Sequence, residues 1–361
     1  MDETLSLLKD LVEINSVSGN EREICLYVRD WFEDNKIDVE LQKVEDKRWN
    51  VIAKIFGKGE EKRSLILSGH LDTVPPVDNW ETDPFELKIN GNKAYGLGAL
   101  DMKSGVAILM EIMKELKDIS KNDIWCVLTV DEELISMGMW KFLEEYGKDN
   151  EFYAALFTEP LPGDKIAVVN KCFGRFAVDV KLTLEGGHAA YSGNEKIIEE
   201  IRKIAKALEK LENFRKKGVI GECEYVLSFL EMGSEFLSAP SSCKLRLNHK
   251  AIEEETLETT IREVKDAFSD FECEVKPMER QTPFLEPFLF ENEFVDLCLS
   301  IVGGKTETSP SVFDGNMTAM KGITTVNIGP VGKNIHKANE YVLIDSIYKV
   351  KKYVKEIVEK A

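Results

Sequence analysis

The sequence lacks any apolar run long enough to cross a membrane, and it also lacks the opening of a signal peptide. Its longest apolar runs are well short of the roughly 20 residues that a membrane-spanning helix requires. The first residues, MDETLSLLKDLVEI, form an acidic amphipathic pattern, whereas a signal peptide has a basic start followed by an apolar stretch. We therefore predict a cytoplasmic protein that does not insert into membranes.

The sequence also lacks closely spaced cysteines and an excess of basic charge. Its seven cysteines are scattered, so they form no sequence-local metal knuckle, and we expect free, mostly buried thiols in a reducing compartment. The net charge of −18 makes the phosphate backbone of nucleic acid and anionic lipid unfavourable partners. The same negative charge is compatible with carboxylates gathered around a cation.

The chain shows no internal repeats, and its 361 residues suit two domains. Residues 1–170 alternate helical patterns with short apolar strands such as DIWCVLTV, which is typical of α/β proteins. Residues 171–278 instead contain strictly alternating strands in the order β-α-β-β-α-β, which indicates a small α+β domain. The α/β pattern returns over residues 279–361. We therefore predict one α/β domain built from both ends of the chain and interrupted by an α+β insertion.

Acidic residues and histidines follow the buried strands of the α/β part. In open α/β sheets ligands bind beyond the carboxyl ends of the strands, so these side chains are expected to converge on one edge. Taken singly, each has an ordinary explanation, such as an N-cap for Asp101 or a solvated loop for the acidic triple. The residues in question are His70 and Asp72 after LILSG, Asp101 in GLGALDMKSG, Asp131, Glu132 and Glu133 after WCVLTV, Glu159 after AALFT, and His336 after TTVNIG.

Several carboxylates packed at one edge would repel each other, and a divalent cation resolves that conflict. Two imidazoles with two or three carboxylates suit zinc, and also cobalt or manganese. There is one carboxylate too many for a single tetrahedral ion. This excess predicts two divalent ions that share a bridging aspartate.

The motifs SGHLDTVPP, YGLGALDMKSG, TVDEE, TEP and NIGPVGKNIHKANEYV resemble those of the dinuclear zinc amidohydrolases. That family includes acetylornithine deacetylase, succinyl-diaminopimelate desuccinylase, glutamate carboxypeptidase, aminoacylase and peptidase T. The resemblance implies a zinc-exopeptidase-like, three-layer α/β/α catalytic domain. It also implies that the inserted ferredoxin-like domain acts as a lid and forms a homodimer.

The resemblance further implies a role for each residue. Glu132 would be the general base that takes a proton from the attacking water and returns it to the leaving amine. His188, in LEGGHAAYSG of the inserted domain, would stabilise the oxyanion, often in the second subunit's site. The metal roles would be His70 and Glu159 on one ion, Glu133 and His336 on the other, Asp101 as the bridge with a strained peptide bond to Met102, and Asp72 holding His70 by a hydrogen bond.

The residues that select the substrate depart from the family pattern. The arginine that usually holds the substrate carboxylate aligns with Lys250, while Arg246 lies four residues earlier on the same strand face. Asn316 in FDGNM stands where desuccinylases carry arginine, and Leu237 replaces a usual asparagine.

Three functions therefore remain open at this point. The first is hydrolysis of an N-acyl amino acid, such as succinyl-diaminopimelate, acetylornithine or acetyl-lysine. The second is cleavage of dipeptides or of a C-terminal residue. The third is an inactive relative that only binds ligand, which would have lost a metal ligand or the base, whereas this chain retains all of them.

Overall fold

The structure is a computed structural model that describes residues 2–162, 165–188, 190–233 and 238–361. The chain divides into two compact units. The first unit, which contains both ends of the chain, comprises Met1–Asn170, Phe290–Glu307 and Phe313–Ala361, and the second unit comprises Lys171–Leu289 and Thr308–Val312.

Helices and strands alternate along most of the described chain. The helices are α1 Glu3–Glu13, α2 Arg22–Asp34, α3 Ser104–Leu116, α4 Met137–Glu145, α5 Asn194–Glu212, α6 Leu257–Ala267, α7 Glu293–Val302, α8 Gly315–Met320 and α9 Ile344–Lys360. The strands are β1 Asp38–Glu45, β2 Arg48–Ile55, β3 Ser64–His70, β4 Lys88–Asn90, β5 Lys93–Tyr95, β6 Asp123–Thr129, β7 Ala154–Phe157, β8 Leu161–Pro162, β9 Val168–Cys172, β10 Gly174–Thr183, β11 Gly187–His188, β12 Glu224–Gly233, β13 Ser238–Ala239, β14 Ser242–Ala251, β15 Cys273–Pro277, β16 Phe288–Leu289, β17 Thr306–Ser309, β18 Thr324–Asn327, β19 Val331–Lys333 and β20 Tyr341–Leu343.

The first unit is built on a central sheet in the order β1-β2-β6-β3-β7-β18. Strand β3 runs parallel to β6 and β7, and β18 runs parallel to β7, whereas β1 and β2 are antiparallel. The four parallel strands therefore end at the same edge of the sheet. None of the described helices combines the length and the apolar character needed to cross a membrane.

Helices cover both faces of this sheet. Along β6, Cys126 and Leu128 belong to the large apolar core that also contains residues of α1, α3 and α9. Trp125 lies next to Cys126 in the strand and therefore points to the opposite face. There its ring packs edge-on against Phe142 of α4, with the centroids 6.2 Å apart. The predicted three-layer α/β/α arrangement is confirmed.

The second unit contains an antiparallel sheet in the order β12-β14-β10-β15. Its elements follow the predicted β-α-β-β-α-β order. Buried and accessible residues alternate along β14, because α5 and α6 cover one face of the sheet. The other face carries the polar side chains of β14, and β12 forms an edge.

Candidate metal centre

The predicted residues come together where the parallel strands of the first unit end. His70 is the last residue of β3, and Glu159 follows β7 by two residues. Glu132 and Glu133 lie in the loop after β6. His336 lies in the loop after β19 and has a left-handed backbone, with φ of +58°.

Two groups of side chains meet at Asp101 and use different oxygens of its carboxylate. In the first group, Nε2 of His70 lies 3.1 Å from Asp101 Oδ1 and 3.7 Å from Glu159 Oε2. In the second, Nε2 of His336 lies 3.3 Å from Asp101 Oδ2 and 3.0 Å from Glu133 Oε2. Within each group the ligand atoms lie within 4.8 Å of one another. This arrangement has the form of two ligand sets that share one aspartate.

The chemistry of these groups fits a pair of divalent cations. Burial raises the pKa of Glu132 and Glu159 well above the usual carboxyl range, and neighbouring carboxylates raise it further. The Oε1 atom of Glu159 is buried without a hydrogen-bond partner among the described residues. The donors are imidazole nitrogens and carboxylate oxygens, a set that suits zinc and also manganese.

Glu132 belongs to neither ligand group, although it lies beside the first. Its Oε2 atom is 3.9 Å from Nε2 of His70, and its side chain is 13% exposed. A carboxylate that is close to the ligands yet free of them can accept a proton from a bound water.

Asp72 holds the loop of Glu132 and Glu133 more directly than it holds His70. Its two carboxylate oxygens each accept one main-chain N–H, from Glu132 and Glu133, both at 3.2 Å, and Oδ2 also accepts the Ser18 hydroxyl at 2.7 Å. The nearest acceptor for Nδ1 of His70 is the main-chain carbonyl of Asp72, at 2.9 Å, whereas Asp72 Oδ1 is 3.6 Å away. Burial opposes ionisation of Asp72, yet the contact with His70 lowers its pKa.

Glu340 fixes the loop that carries Asp101, and no sequence pattern singled it out. Its buried carboxylate accepts the main-chain N–H groups of Gly98, Leu100 and Asp101 at 3.1, 2.8 and 2.9 Å. Gly98 has a φ of +72°, which glycine adopts without strain. Burial raises the pKa of Glu340 to about 7. The peptide bond between Asp101 and Met102 is cis.

Two neighbouring acids, Asp131 and Asp314, have contacts that the sequence pattern does not indicate. Asp131, the first of the acidic triple, turns away from the ligand groups and pairs with Arg48 at 2.7 Å. Asp314 is buried at the site, where it accepts the Thr129 hydroxyl at 2.6 Å, and burial raises its pKa to about 6. Asn316 is also fully buried, and its Oδ1 accepts the N–H of Phe313 at 3.1 Å.

In the second unit, the predicted substrate residues lie on the open face of the sheet. Arg246 is held by Asp179 through two contacts, of 2.6 and 3.0 Å. Lys250 lines a cavity of about 400 Å³ together with Arg175, its partner across the β10–β14 pair. Sequence reasoning did not consider Arg175. Leu237 lies outside the described residues.

His188 is exposed at the end of β11. Its Nδ1 accepts the main-chain N–H of Ala190 at 3.2 Å. In a neutral ring the proton therefore sits on Nε2, which is left as a donor.

Comparison with known proteins assigns the family. The profile of Peptidase family M20/M25/M40 matches residues 66–360. The chain belongs to this family. A second profile, described as AMPT, matches residues 2–24.

The relatives cover nearly the whole chain. Succinyl-diaminopimelate desuccinylase of a Nitratiruptor species is 27% identical over 374 residues, which span 99% of this chain and 99% of that protein. Aminopeptidase PepT of Bacillus cereus shares the fold with a TM-score of 0.79 at 20% identity, over 99% and 98% of the two chains. The YXEP protein of Bacillus subtilis, described as a dinuclear metal binding peptidase, has a TM-score of 0.77 at 16% identity, over 99% and 97%. The predicted family, fold class and amide-hydrolase class are confirmed.

We expect Glu340→Ala to weaken metal binding although Glu340 is in neither ligand group. The variant leaves three N–H groups of the Asp101 loop without their acceptor, so the shared aspartate loses its fixed position. Removing such a supporting contact typically lowers metal affinity by about 10–100-fold. Competition of the metal-free protein with a zinc indicator measures the change, and Glu86→Ala, at an exposed position, is the control. Equal zinc affinity in the two variants would refute the role of Glu340.

Proposed function

We propose that this chain is a hydrolase that uses two divalent metal ions to cleave the amide bond of an N-acyl amino acid. Zinc is the metal that we propose first. The observation that carries the proposal is the pair of ligand groups sharing Asp101, with Glu132 beside them but outside both. A complete ligand set with a free carboxylate beside it argues against the hypothesis of an inactive relative.

The proposed reaction assigns a role to each side chain at the centre. When bound, the two ions lower the pKa of a water and polarise the scissile carbonyl. Glu132 takes the proton of the attacking water and delivers it to the leaving amine. The Asp72 carboxylate keeps Glu132 in place by accepting the main-chain N–H of Glu132.

His188 is the proposed donor to the oxyanion of the intermediate. Its Nδ1 accepts an N–H from the chain, so Nε2 carries the proton of the neutral ring. A donor aimed at developing negative charge stabilises the transition state more than it stabilises the bound substrate.

The proposed site for the substrate carboxylate is the cavity that Arg175 and Lys250 line. Neither side chain has an acidic partner among the described residues, whereas Arg246 is already paired with Asp179. The two cationic residues, Arg175 and Lys250, oppose each other across the β10–β14 pair, and an anionic substrate would relieve their repulsion. The name of the desuccinylase relatives makes N-succinyl amino acids the first class to test.

We also propose a homodimer through the edge of the second unit. Strand β12 is an edge strand with exposed Val226, Phe229 and Leu230, and α5 exposes Ile198 and Ile201. Exposed apolar edges of this kind favour pairing with another chain. Pairing about a two-fold axis would bury the same patch on both copies.

The proposal is tested by hydrolysis assays with the zinc- or cobalt-loaded protein. The panel contains N-succinyl-diaminopimelate, N-acetyl and N-succinyl basic amino acids, and simple dipeptides. Release of a free amino acid from acylated substrates alone supports the deacylase and identifies the acyl group. Cleavage of dipeptides alone would replace it with a peptidase of the same family. Metal bound at the Asp101 centre without any turnover would favour a ligand-binding relative.

We expect Glu132→Ala to keep the metal content of the wild-type protein and to lose most of its activity. The side chain is outside both ligand groups, so its removal takes away the proton acceptor and leaves the ligands in place. General bases of this kind contribute about 10²–10⁴-fold to the rate. Metal analysis and kcat on the best substrate measure the two effects, and Glu144→Ala on the surface of α4 is the control. Retained turnover would exclude Glu132 as the base.

We expect Arg175→Met and Lys250→Met to weaken the reaction of carboxylate-bearing substrates. A hydrogen bond to a charged group is worth about 1.5–3 kcal/mol, which corresponds to a fall in kcat/KM of about 10–100-fold. Substrate analogues in which an uncharged amide replaces the carboxylate should lose less activity in these variants. Arg246→Met is the matched control on the same sheet face, because Asp179 already occupies its guanidinium. A larger loss in the control would move the carboxylate site to Arg246.

We expect His188→Ala to lower kcat. If the histidine acts in the site of the other subunit, a dimer of one His188→Ala chain and one Glu132→Ala chain should recover activity. In a mixed dimer one site then contains both intact residues. Co-expression of the two variants with different affinity tags, followed by purification through both tags, isolates this species. Activity above that of either variant supports a dimer with shared sites. Activity no greater than that of the separate variants would contradict exchange between subunits.

A further inference from the structure

A cysteine, a histidine and a glutamate form a buried cluster inside the second unit. Cys223 precedes β12, His249 lies on β14, and Glu255 lies in the turn before α6. Their side chains are almost completely buried, with 1%, 1% and 4% exposure. Their sulfur, nitrogen and oxygen atoms lie within 4.8 Å of one another. We propose that these three residues bind a divalent, zinc-like ion that is separate from the two at the candidate centre.

The orientation of His249 leaves one ring nitrogen without a hydrogen-bond partner among the described residues. Nδ1 lies 2.8 Å from the hydroxyl of Thr260, which itself lies 2.9 Å from the carbonyl of Thr256. When Thr260 donates to that carbonyl, it accepts from Nδ1–H, and the neutral ring presents a lone pair at Nε2. The Tyr225 ring stacks on the imidazole, with the centroids 4.0 Å apart and the planes 9° apart, and so fixes its plane.

The contact between Nε2 of His249 and Glu255 has the distance of a polar contact without the geometry of a hydrogen bond. Nε2 lies 3.2 Å from Oε2 of Glu255, yet it is buried with no hydrogen-bond partner in the described parts of the chain. A buried imidazole nitrogen without a partner is unfavourable. A cation bound by both atoms satisfies the nitrogen and the carboxylate together.

Cys223 has one contact that favours a thiolate and one that favours a neutral thiol. Its sulfur accepts the main-chain N–H of Lys216 at 3.0 Å, a contact that stabilises negative charge on sulfur. The sulfur also lies 3.6 Å from the carbonyl of Phe214, which a neutral thiol would use as an acceptor. The choice between thiol and thiolate therefore depends on whether a cation is present.

The charges around the cluster are compatible with one divalent ion. The Lys216 ammonium lies 3.3 Å from Oε1 of Glu255 and 2.6 Å from Oε1 of Glu263. Two carboxylates and a thiolate against one ammonium leave two negative charges, which a divalent ion neutralises. Oε2 of Glu255 accepts the N–H of Ile252 at 3.1 Å and keeps lone-pair capacity for a metal.

The ligand set selects the kind of ion. Thiolate sulfur, imidazole nitrogen and carboxylate oxygen are the ligands of zinc, and three of them leave one tetrahedral position for water. The hydrogen bond at Nδ1 orients the histidine, as is usual for metal-bound imidazole. Cobalt occupies zinc sites of this kind and reports its ligands through its colour.

Cobalt loading tests the proposal without reference to activity. The candidate centre at Asp101 offers only nitrogen and oxygen, so a sulfur-to-cobalt charge-transfer band in the near ultraviolet can arise only at a cysteine. We expect the metal-free protein loaded with cobalt and then desalted to bind three ions per chain and to show this band. The proposal is independent of the reaction assigned to the Asp101 centre.

Two variants assign the band. Cys223→Ser should lose the band and one cobalt per chain, while the absorption of the nitrogen- and oxygen-bound ions stays. Cys243→Ser, at a fully buried cysteine of the same unit, should keep all three ions. Wild-type protein with two cobalt ions and no sulfur band would overturn the proposal and leave His249 and Glu255 as a buried polar pair. A band that survives in Cys223→Ser would also overturn it.

Discussion

Buried negative charge at the carboxyl edge of the central sheet is the constraint on which the first unit depends. Glu132, Glu133 and Glu159 gather there around Asp101, and burial together with mutual repulsion raises the pKa of all three. The two histidines at this edge relieve only part of that charge. The divalent cations of the proposed centre would neutralise the rest, which would couple metal binding to the stability of this edge.

The protein positions these groups with two further carboxylates that belong to neither ligand group. Asp72 accepts the N–H groups of Glu132 and Glu133, and Glu340 accepts three N–H groups of the loop that ends at Asp101. In both cases a buried side chain anchors the main chain of a functional loop. Because each carboxylate acts on the backbone, it restricts a whole loop and not a single rotamer. Such restriction holds ligands in place before a metal arrives.

The strand pattern predicts where the site lies, whereas the family resemblance was needed to select the acids that form it. Strand patterns place His70 and Glu159 at strand ends, and parallel strands bring those ends together. Asp131 is a carboxylic acid like Glu132, but it pairs with Arg48 of β2, a strand that neighbours β6 in the sheet although it is far from β6 in sequence. The two-residue period of a strand places Arg246 and Lys250 on one face. The partner of Arg246, Asp179, however, comes from the neighbouring strand. Pairing across the sheet is set by tertiary packing, which no local pattern contains.

Strand β14 connects the two polar regions of the second unit. Lys250 reaches the basic cavity, while His249, the preceding residue, points toward the helices and is held between Tyr225 and Thr260. Side chains of adjacent strand residues point to opposite faces, so the position of one limits the position of the other. A rigid His249 therefore limits the freedom of the Lys250 backbone. Whatever binds His249, whether a carboxylate alone or a shared cation, also helps to preorganise the cavity proposed for the substrate carboxylate.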